Sequence, residues 1–340
     1  MLNRFIGALG AATITLAITA APALAQDAAR IEWTSFHSRA MEGNLEGNSA
    51  ERGVYVVTPP GYDENPTRHY PVVIFLHGYF ATPQMYQQSM HFEESVQAAA
   101  EAGHDMIMVI PDGHSKLKGG FYSSSPVVGD YEAMVAQDLV SWVDANYRTI
   151  ADPDSRGLSG HSMGGYGTIR IAMKHPGVFS SIYMMSACCL PPQPIDAEQA
   201  AGINVLTEAE LDGAQFGALA GASTGAAWAP DPNAENALMI DTTLGDDGAI
   251  DKLVEYRMAA NSPVVILPQY LSSLNDLEGF AIDIGDADFL LQGNRTFMAE
   301  LDRFGVEYQF QLYEGDHGNR IAERIRTHVL PFFAAHLDGE

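Results

Sequence analysis

A serine hydroxyl becomes a useful nucleophile only when a neighbouring base takes its proton. One stretch of this chain sets a serine up for that chemistry: Gly160-His161-Ser162-Met163-Gly164, a G-x-S-x-G pattern. The pattern has a steric cause. A serine on a very tight strand-to-helix turn needs glycine two residues to either side, because larger side chains would strike neighbouring backbone. The required context is present, with a strand-like run from Arg156 to Gly160 before the turn and a helical run from Met163 to Lys174 after it. Such a turn pushes the Ser162 hydroxyl out at the carboxyl end of a sheet. It also leaves the Met163 N–H at a helix N-terminus, where free donors and the helix dipole favour an anion.

The partners of such a serine follow it in the order acid, then histidine. Of the eleven histidines, three lie beyond a long insertion in the second half of the chain: His317, His328 and His336. His328 and His336 fall in or at the end of the last helical run, where they read as surface or packing residues. His317 lies in Glu314-Gly315-Asp316-His317-Gly318, just past a strand-like run ending near Tyr313. That places it in a loop at the carboxyl edge of the sheet, as a general base requires. The acid should leave the preceding strand, where Asp283, Asp286 and Asp288 are the candidates. Asp283 belongs to the strand itself. Gly285-Asp286-Ala287-Asp288 is the exit turn, and Asp288 is the favoured acid, with Asp286 as the alternative. Its task would be to accept a hydrogen bond from His317 and stabilise the imidazolium.

A second oxyanion donor is expected in the turn His77-Gly78-Tyr79-Phe80, which follows the Tyr70 to Leu76 run. Gly78 permits close backbone approach, and the Tyr79 N–H would join that of Met163. His77 and His161 read as structural, filling space and bonding to neighbouring loops.

Elements that could position these groups are legible. Strand-like runs at 52–58, 70–76, 105–110, 156–160, 179–186, 277–284 and 306–313 alternate with helical runs at 94–103, 131–147, 163–174, 289–304 and 319–335. Apolar strands alternating with helices imply an α/β domain whose mostly parallel sheet is wound on both faces. Pro191 to about Asn275 breaks the rhythm and reads as an inserted cap or lid. Within it, Gly217 to Gly225 reads as flexible surface.

Taken together, HG after a strand, GHSMGG at the centre, then G-x-x-D and G-x-H resemble the esterase D or putative-esterase family. That group includes feruloyl esterases, S-formylglutathione hydrolases and the antigen 85 mycolyltransferases. The similarity runs over Val54 to Ser186 and Leu277 to Phe332. It implies an α/β-hydrolase fold, a Ser162-Asp288-His317 triad and an oxyanion hole formed by the Tyr79 and Met163 amides. The segment 191–275 matches nothing that would assign a substrate. An aromatic residue often follows the histidine in the family, whereas Gly318-Asn319 follow it here.

Composition bounds the rest. The net charge is −25, and 46% of the 340 residues are hydrophobic. An acidic surface repels nucleic acid and anionic lipid head groups. The chain starts with a short positive segment, an apolar run from Phe5 to Pro22 and Ala23-Leu24-Ala25, which together read as a signal peptide over 1–25. This implies a hydrolase domain over 26–340 in an exported, periplasmic or secreted protein, with no stable membrane insertion after cleavage. Cys188 and Cys189 are adjacent. Neighbouring Cα atoms lie about 3.8 Å apart, too close for an ordinary disulfide, so they read as two small apolar side chains, with a strained vicinal disulfide as the alternative. No metal-ligand spacing, phosphate loop or dinucleotide fingerprint is present, and no cofactor is expected. The leading expectation is an exported serine carboxylic-ester hydrolase acting on a feruloyl, acetyl or short-chain ester, small or polysaccharide-linked. Acyl transfer to an alcohol through the same acyl-enzyme, or a binding module that kept the fold, are the alternatives.

Overall fold

The computed structural model describes residues 28–339. The signal-peptide assignment lies outside the described residues. The central sheet has eight strands: β1 (Arg30–His37), β2 (Glu51–Thr58), β3 (Val72–Leu76), β4 (Ile107–Pro111), β5 (Arg156–His161), β6 (Ser181–Met185), β7 (Gly279–Gly285) and β8 (Gln309–Tyr313). Their spatial order is β1-β2-β4-β3-β5-β6-β7-β8. The first two pairings, β1 with β2 and β2 with β4, are antiparallel, and every later pairing is parallel. β3, β4, β5, β6 and β7 are buried along their whole length. That burial accounts for their continuous apolar character, since helices cover both faces.

The longer helices among the described residues are α1 (Pro83–Met90), α2 (Phe92–Glu101), α3 (Tyr131–Ala133 continuing through a π-helical stretch at Met134–Leu139 into Val140–Asn146), α4 (Met163–Lys174), α5 (Ala197–Val205), α6 (Phe216–Trp228), α7 (Lys252–Ala259), α8 (Leu291–Phe304) and α9 (Ile321–Arg324, a π-helical stretch at Ile325–Val329, then Leu330–His336). One apolar layer joins α3, α4 and the insertion to the sheet, with Leu139, Ile169, Trp228 and Phe297 among its buried members. The other joins α2 and α9 to the opposite face through Phe92, Val96, Ile325 and Phe333. Each such side chain removed from water contributes about 1.5–3 kcal/mol before entropy is counted.

β1 and α1 are absent from the sequence reading. β1 is an edge strand with a largely exposed pattern, so no hydrophobic alternation announces it. α1 is held by Thr82, whose side chain accepts from the Met85 N–H, and by Pro83 at its first position. The insertion holds several helices, and the stretch Gly217 to Gly225, expected as flexible surface, is helical, exposed at Gly217 and Ala218 but turned inward at its far end. That stretch lies in α6, where Ala222 to Trp228 are all buried. At the buried end Gly225 serves close packing, because a Cβ there would stand 2.7 Å from the Ile240 side chain.

Candidate active site

Ser162 sits where β5 turns into α4, with φ 58° and ψ −113°. A non-glycine residue adopts that conformation only when its surroundings compel it. The flanking glycines show how tight the turn is. A Cβ on Gly164 would lie 1.9 Å from the Leu76 carbonyl oxygen, and one on Gly160 would lie 2.4 Å from the backbone of Gly164. The Ser162 carbonyl accepts from the Cys188 amide at 3.1 Å and the Ser162 amide donates to Met185 at 2.9 Å, which ties the bend to β6 and the loop after it. Cys188 is buried, Cys189 is half-buried, and both are free thiols.

The strand order carries β7 and β8 outward from β6, so the loops leaving their carboxyl ends converge on the serine. His317 Nε2 lies 3.0 Å from Ser162 Oγ, and His317 Nδ1 lies 2.9 Å from Asp288 Oδ2. The other Asp288 oxygen accepts from the Leu290 amide at 2.8 Å. Burial pushes the Asp288 carboxyl up, but the His317 ring and the Leu290 amide outweigh it and hold it below the usual carboxylate range. Such an anion fixes the imidazole with its proton on Nδ1, leaving Nε2 to accept from the serine.

The alternative acid, Asp286, instead accepts from the Gly315 amide at 3.1 Å and shapes the histidine loop. Asp283 is fully buried and pairs with Arg324 Nε at 2.7 Å and the Tyr183 hydroxyl at 2.9 Å. His328 and His336 lie in α9, away from this constellation: the His328 ring bonds to Thr327 and His336 packs on Phe332.

The Gly78-Tyr79 turn lies against Ser162, since a Cβ on Gly78 would stand 3.4 Å from Ser162 Cβ. Phe80 keeps a left-handed φ of 64° with its amide bonded to the Lys118 carbonyl, which fixes the turn from the far side. Met163 is buried at the start of α4. The expected structural histidines have partners: His77 bonds to the Gly78 carbonyl and the Gly113 amide, and His161 to Tyr86 and the His317 carbonyl. Exposed aromatic rings border the site. Phe289 meets His317 at a tilt with centroids 4.7 Å apart, and Phe216 of α6 meets Tyr79 at 5.6 Å and Phe80 at 6.2 Å. Neither Phe216 nor Tyr86 was singled out by sequence reasoning. Each is brought to the site by a helix whose docking is not encoded by local spacing.

The family model described as "Putative esterase" matches residues 48–261, well over half of the chain. The chain belongs to this esterase family. Asp288 and His317 lie beyond the matched stretch. An esterase of Mycobacterium tuberculosis strain H37Rv is 36% identical over 133 residues, which cover 38% of this chain and 27% of that protein. The S-formylglutathione hydrolase of Mus musculus is 28% identical over 140 residues, covering 36% of this chain and 47% of that one. The matched region thus spans less than half the length of either relative. Among solved structures, a ferulic acid esterase superposes with a TM-score of 0.66 at 20% identity, over 92% of this chain and all of that one. A Staphylococcus aureus fluorophosphonate-binding serine hydrolase gives 0.62 at 19% identity, over 90% of this chain and 99% of that one. These likenesses establish the esterase as an α/β-hydrolase in fold.

Proposed function

We propose that this esterase is an exported serine carboxylic-ester hydrolase with Ser162 as nucleophile, His317 as general base and Asp288 as the orienting acid. The observation that carries the proposal is the unbroken Ser162–His317–Asp288 relay, with links of 3.0 Å and 2.9 Å, on a backbone bend that presents the hydroxyl outward. As Ser162 Oγ bonds to the acyl carbon, its proton passes to His317 Nε2. The carbonyl oxygen takes up the negative charge between the Tyr79 and Met163 amides, where each donor lowers the barrier by about 3–4 kcal/mol. Collapse of the tetrahedral adduct breaks the bond to the alcohol oxygen, which leaves with the proton from His317. Water then attacks the acyl-enzyme and gives a proton to the same ring, and as the bond to Ser162 Oγ breaks the ring returns that proton to the serine and the acid is released.

The substrate reading is an acetyl, feruloyl or short-chain acyl ester, free or attached to a polysaccharide. The Tyr79, Phe80 and Phe216 rings beside the oxyanion turn favour a flat or apolar acyl group, and a structural neighbour is a ferulic acid esterase. The leader-like first 25 residues support export.

A fluorophosphonate probe and a p-nitrophenyl ester test the proposal. Wild-type protein should gain one adduct, on Ser162, and turn over the ester. Ser162→Ala should stay folded, take no adduct and lose turnover by on the order of 10⁵–10⁶-fold. Retained turnover in that variant would remove the proposal.

A further inference from the structure

Three separate loops meet at the nucleophile: the Gly78-Tyr79 turn after β3, the Ser162 bend after β5 and the His317 loop after β8. One line of buried polar contacts runs through all three. The Gly78 N–H donates to Tyr86 Oη at 2.9 Å, Tyr86 Oη lies 2.6 Å from His161 Nδ1, and His161 Nε2 lies 2.8 Å from the His317 carbonyl oxygen. The two ends fix the direction of every link. A backbone amide can only donate and a carbonyl can only accept. The proton of a neutral His161 therefore sits on Nε2, its Nδ1 accepts, and the Tyr86 hydroxyl donates to it. His161 is neutral because burial, together with the nearby His317 ring, pushes it down to about 3. Tyr86 and His161 are both buried. The glycine at position 78 lets the phenol in, because a Cβ there would stand 2.6 Å from Tyr86 Oη.

Other parts of the molecule offer less. The cavity of about 490 Å³ among Asn204, Asp231 and Asp241 is an acidic surface hollow in the insertion, with nothing beside it that points to a ligand. The thiols of Cys188 and Cys189 are free, and that of Cys188 is buried.

We propose that Tyr86 and His161 are positioning residues that hold the oxyanion turn and the general-base loop in register with Ser162. The proposal rests on the esterase reading above. Neither side chain is one of the reacting groups: Tyr86 fixes the Gly78 backbone and His161 fixes the His317 backbone. His161 adjoins the nucleophile in sequence and grips the backbone of the base, so its ring sets the separation of Ser162 and His317. Tyr86, carried by α1, passes that constraint to the Gly78 amide one residue before the expected oxyanion donor. Misplacement of such groups by about 1 Å can cost up to a hundredfold in rate.

The test uses the full chain with Tyr86→Phe, His161→Gln and the double variant. Each is assayed on p-nitrophenyl acetate, with the active serines counted by fluorophosphonate titration and melting temperatures recorded. Phenylalanine keeps the ring but removes the central hydroxyl. Glutamine can still donate to the His317 carbonyl but meets Tyr86 poorly. Per titrated serine, kcat should fall on the order of tenfold in Tyr86→Phe, the scale of one misplaced hydrogen bond, with KM within about twofold. The double variant should be no worse than the poorer single variant, because a broken line fails as a unit. Wild-type kcat per titrated serine in both single variants, whatever their melting temperatures, would reduce the line to packing and overturn the proposal. Losses that multiply in the double variant would overturn it as well. A wild-type protein that neither labels nor turns over would instead overturn the esterase reading itself.

Discussion

Asp286 and Asp288 stand two residues apart on the turn leaving β7, yet the two carboxylates do different work. Asp288 meets His317 Nδ1 at 2.9 Å, while Asp286 secures the Gly315 amide. Asp288→Asn should therefore lower kcat by roughly 10³–10⁴-fold, since an amide can hold the imidazole in the wrong tautomer. Asp286→Asn keeps an acceptor for Gly315 and should stay within about fivefold of wild type, the effect of one exposed hydrogen bond. Steady-state kinetics on a p-nitrophenyl ester separates the two, and equal losses would contradict this division of roles. At this scale much was legible in sequence. Ser162, His317 and Asp288, which the structure brings together, could each be named as candidates from residue type and chain order. Tyr86 could not, because a lone tyrosine in Pro83–Met90 carries no local sign of the imidazole it meets, 75 residues away.

The bend between β5 and α4 is the element on which the site depends, and its tolerance to substitution follows from contact distances. Gly164→Ala would drive a methyl group to 1.9 Å from the Leu76 carbonyl, which is fixed in β3. It should cost more than about 3 kcal/mol or abolish soluble folding, at the upper end of single-residue effects. Gly318→Ala, beside His317, meets nothing within 4 Å and should change stability by less than about 0.5 kcal/mol. Urea midpoints check the pair. An alanine at 164 that leaves the midpoint unmoved would mean the bend is looser than its geometry. The G-x-S-x-G spacing announced this element in advance. The insertion did not announce its form, because the Gly and Ala residues of α6 give no amphipathic stripe and owe their burial to tight docking.

Across the molecule, the covering helices are also fastened by charge. Glu132 of α3 is buried and accepts from Arg170 Nε at 2.7 Å and Lys174 Nζ at 2.8 Å, both on α4, with His175 at 3.5 Å. Burial pushes this carboxyl up, but His175, Arg170 and Lys174 outweigh it and hold it down to about 2. Its folded value lies below its unfolded value. The stabilisation is thus fully present above about 4.5 and is lost as pH falls toward about 2. Glu132→Gln should lower stability by on the order of 3 kcal/mol at pH 7, the scale of a broken buried pair. The gap to wild type should narrow by about half or more at pH 3. Denaturant midpoints at pH 7, 5 and 3 measure it, and a gap constant over that range would contradict the linkage.

The sequence by itself determined the alternation of strands and helices, the bend at Ser162, the chain order of the candidate residues Ser162, Asp288 and His317, and membership of the expected family. These depend on short-range steric rules and on residue types at fixed spacing, which a linear text preserves. Tertiary structure decided which exit-turn carboxylate reaches His317, how the insertion brings Phe216 against Tyr79, and that Tyr86 and His161 link three loops distant in sequence. Each of those outcomes depends on strand order and on the angles at which helices dock. Contacts between residues tens to hundreds of positions apart leave no periodicity in the chain, so packing alone reveals them.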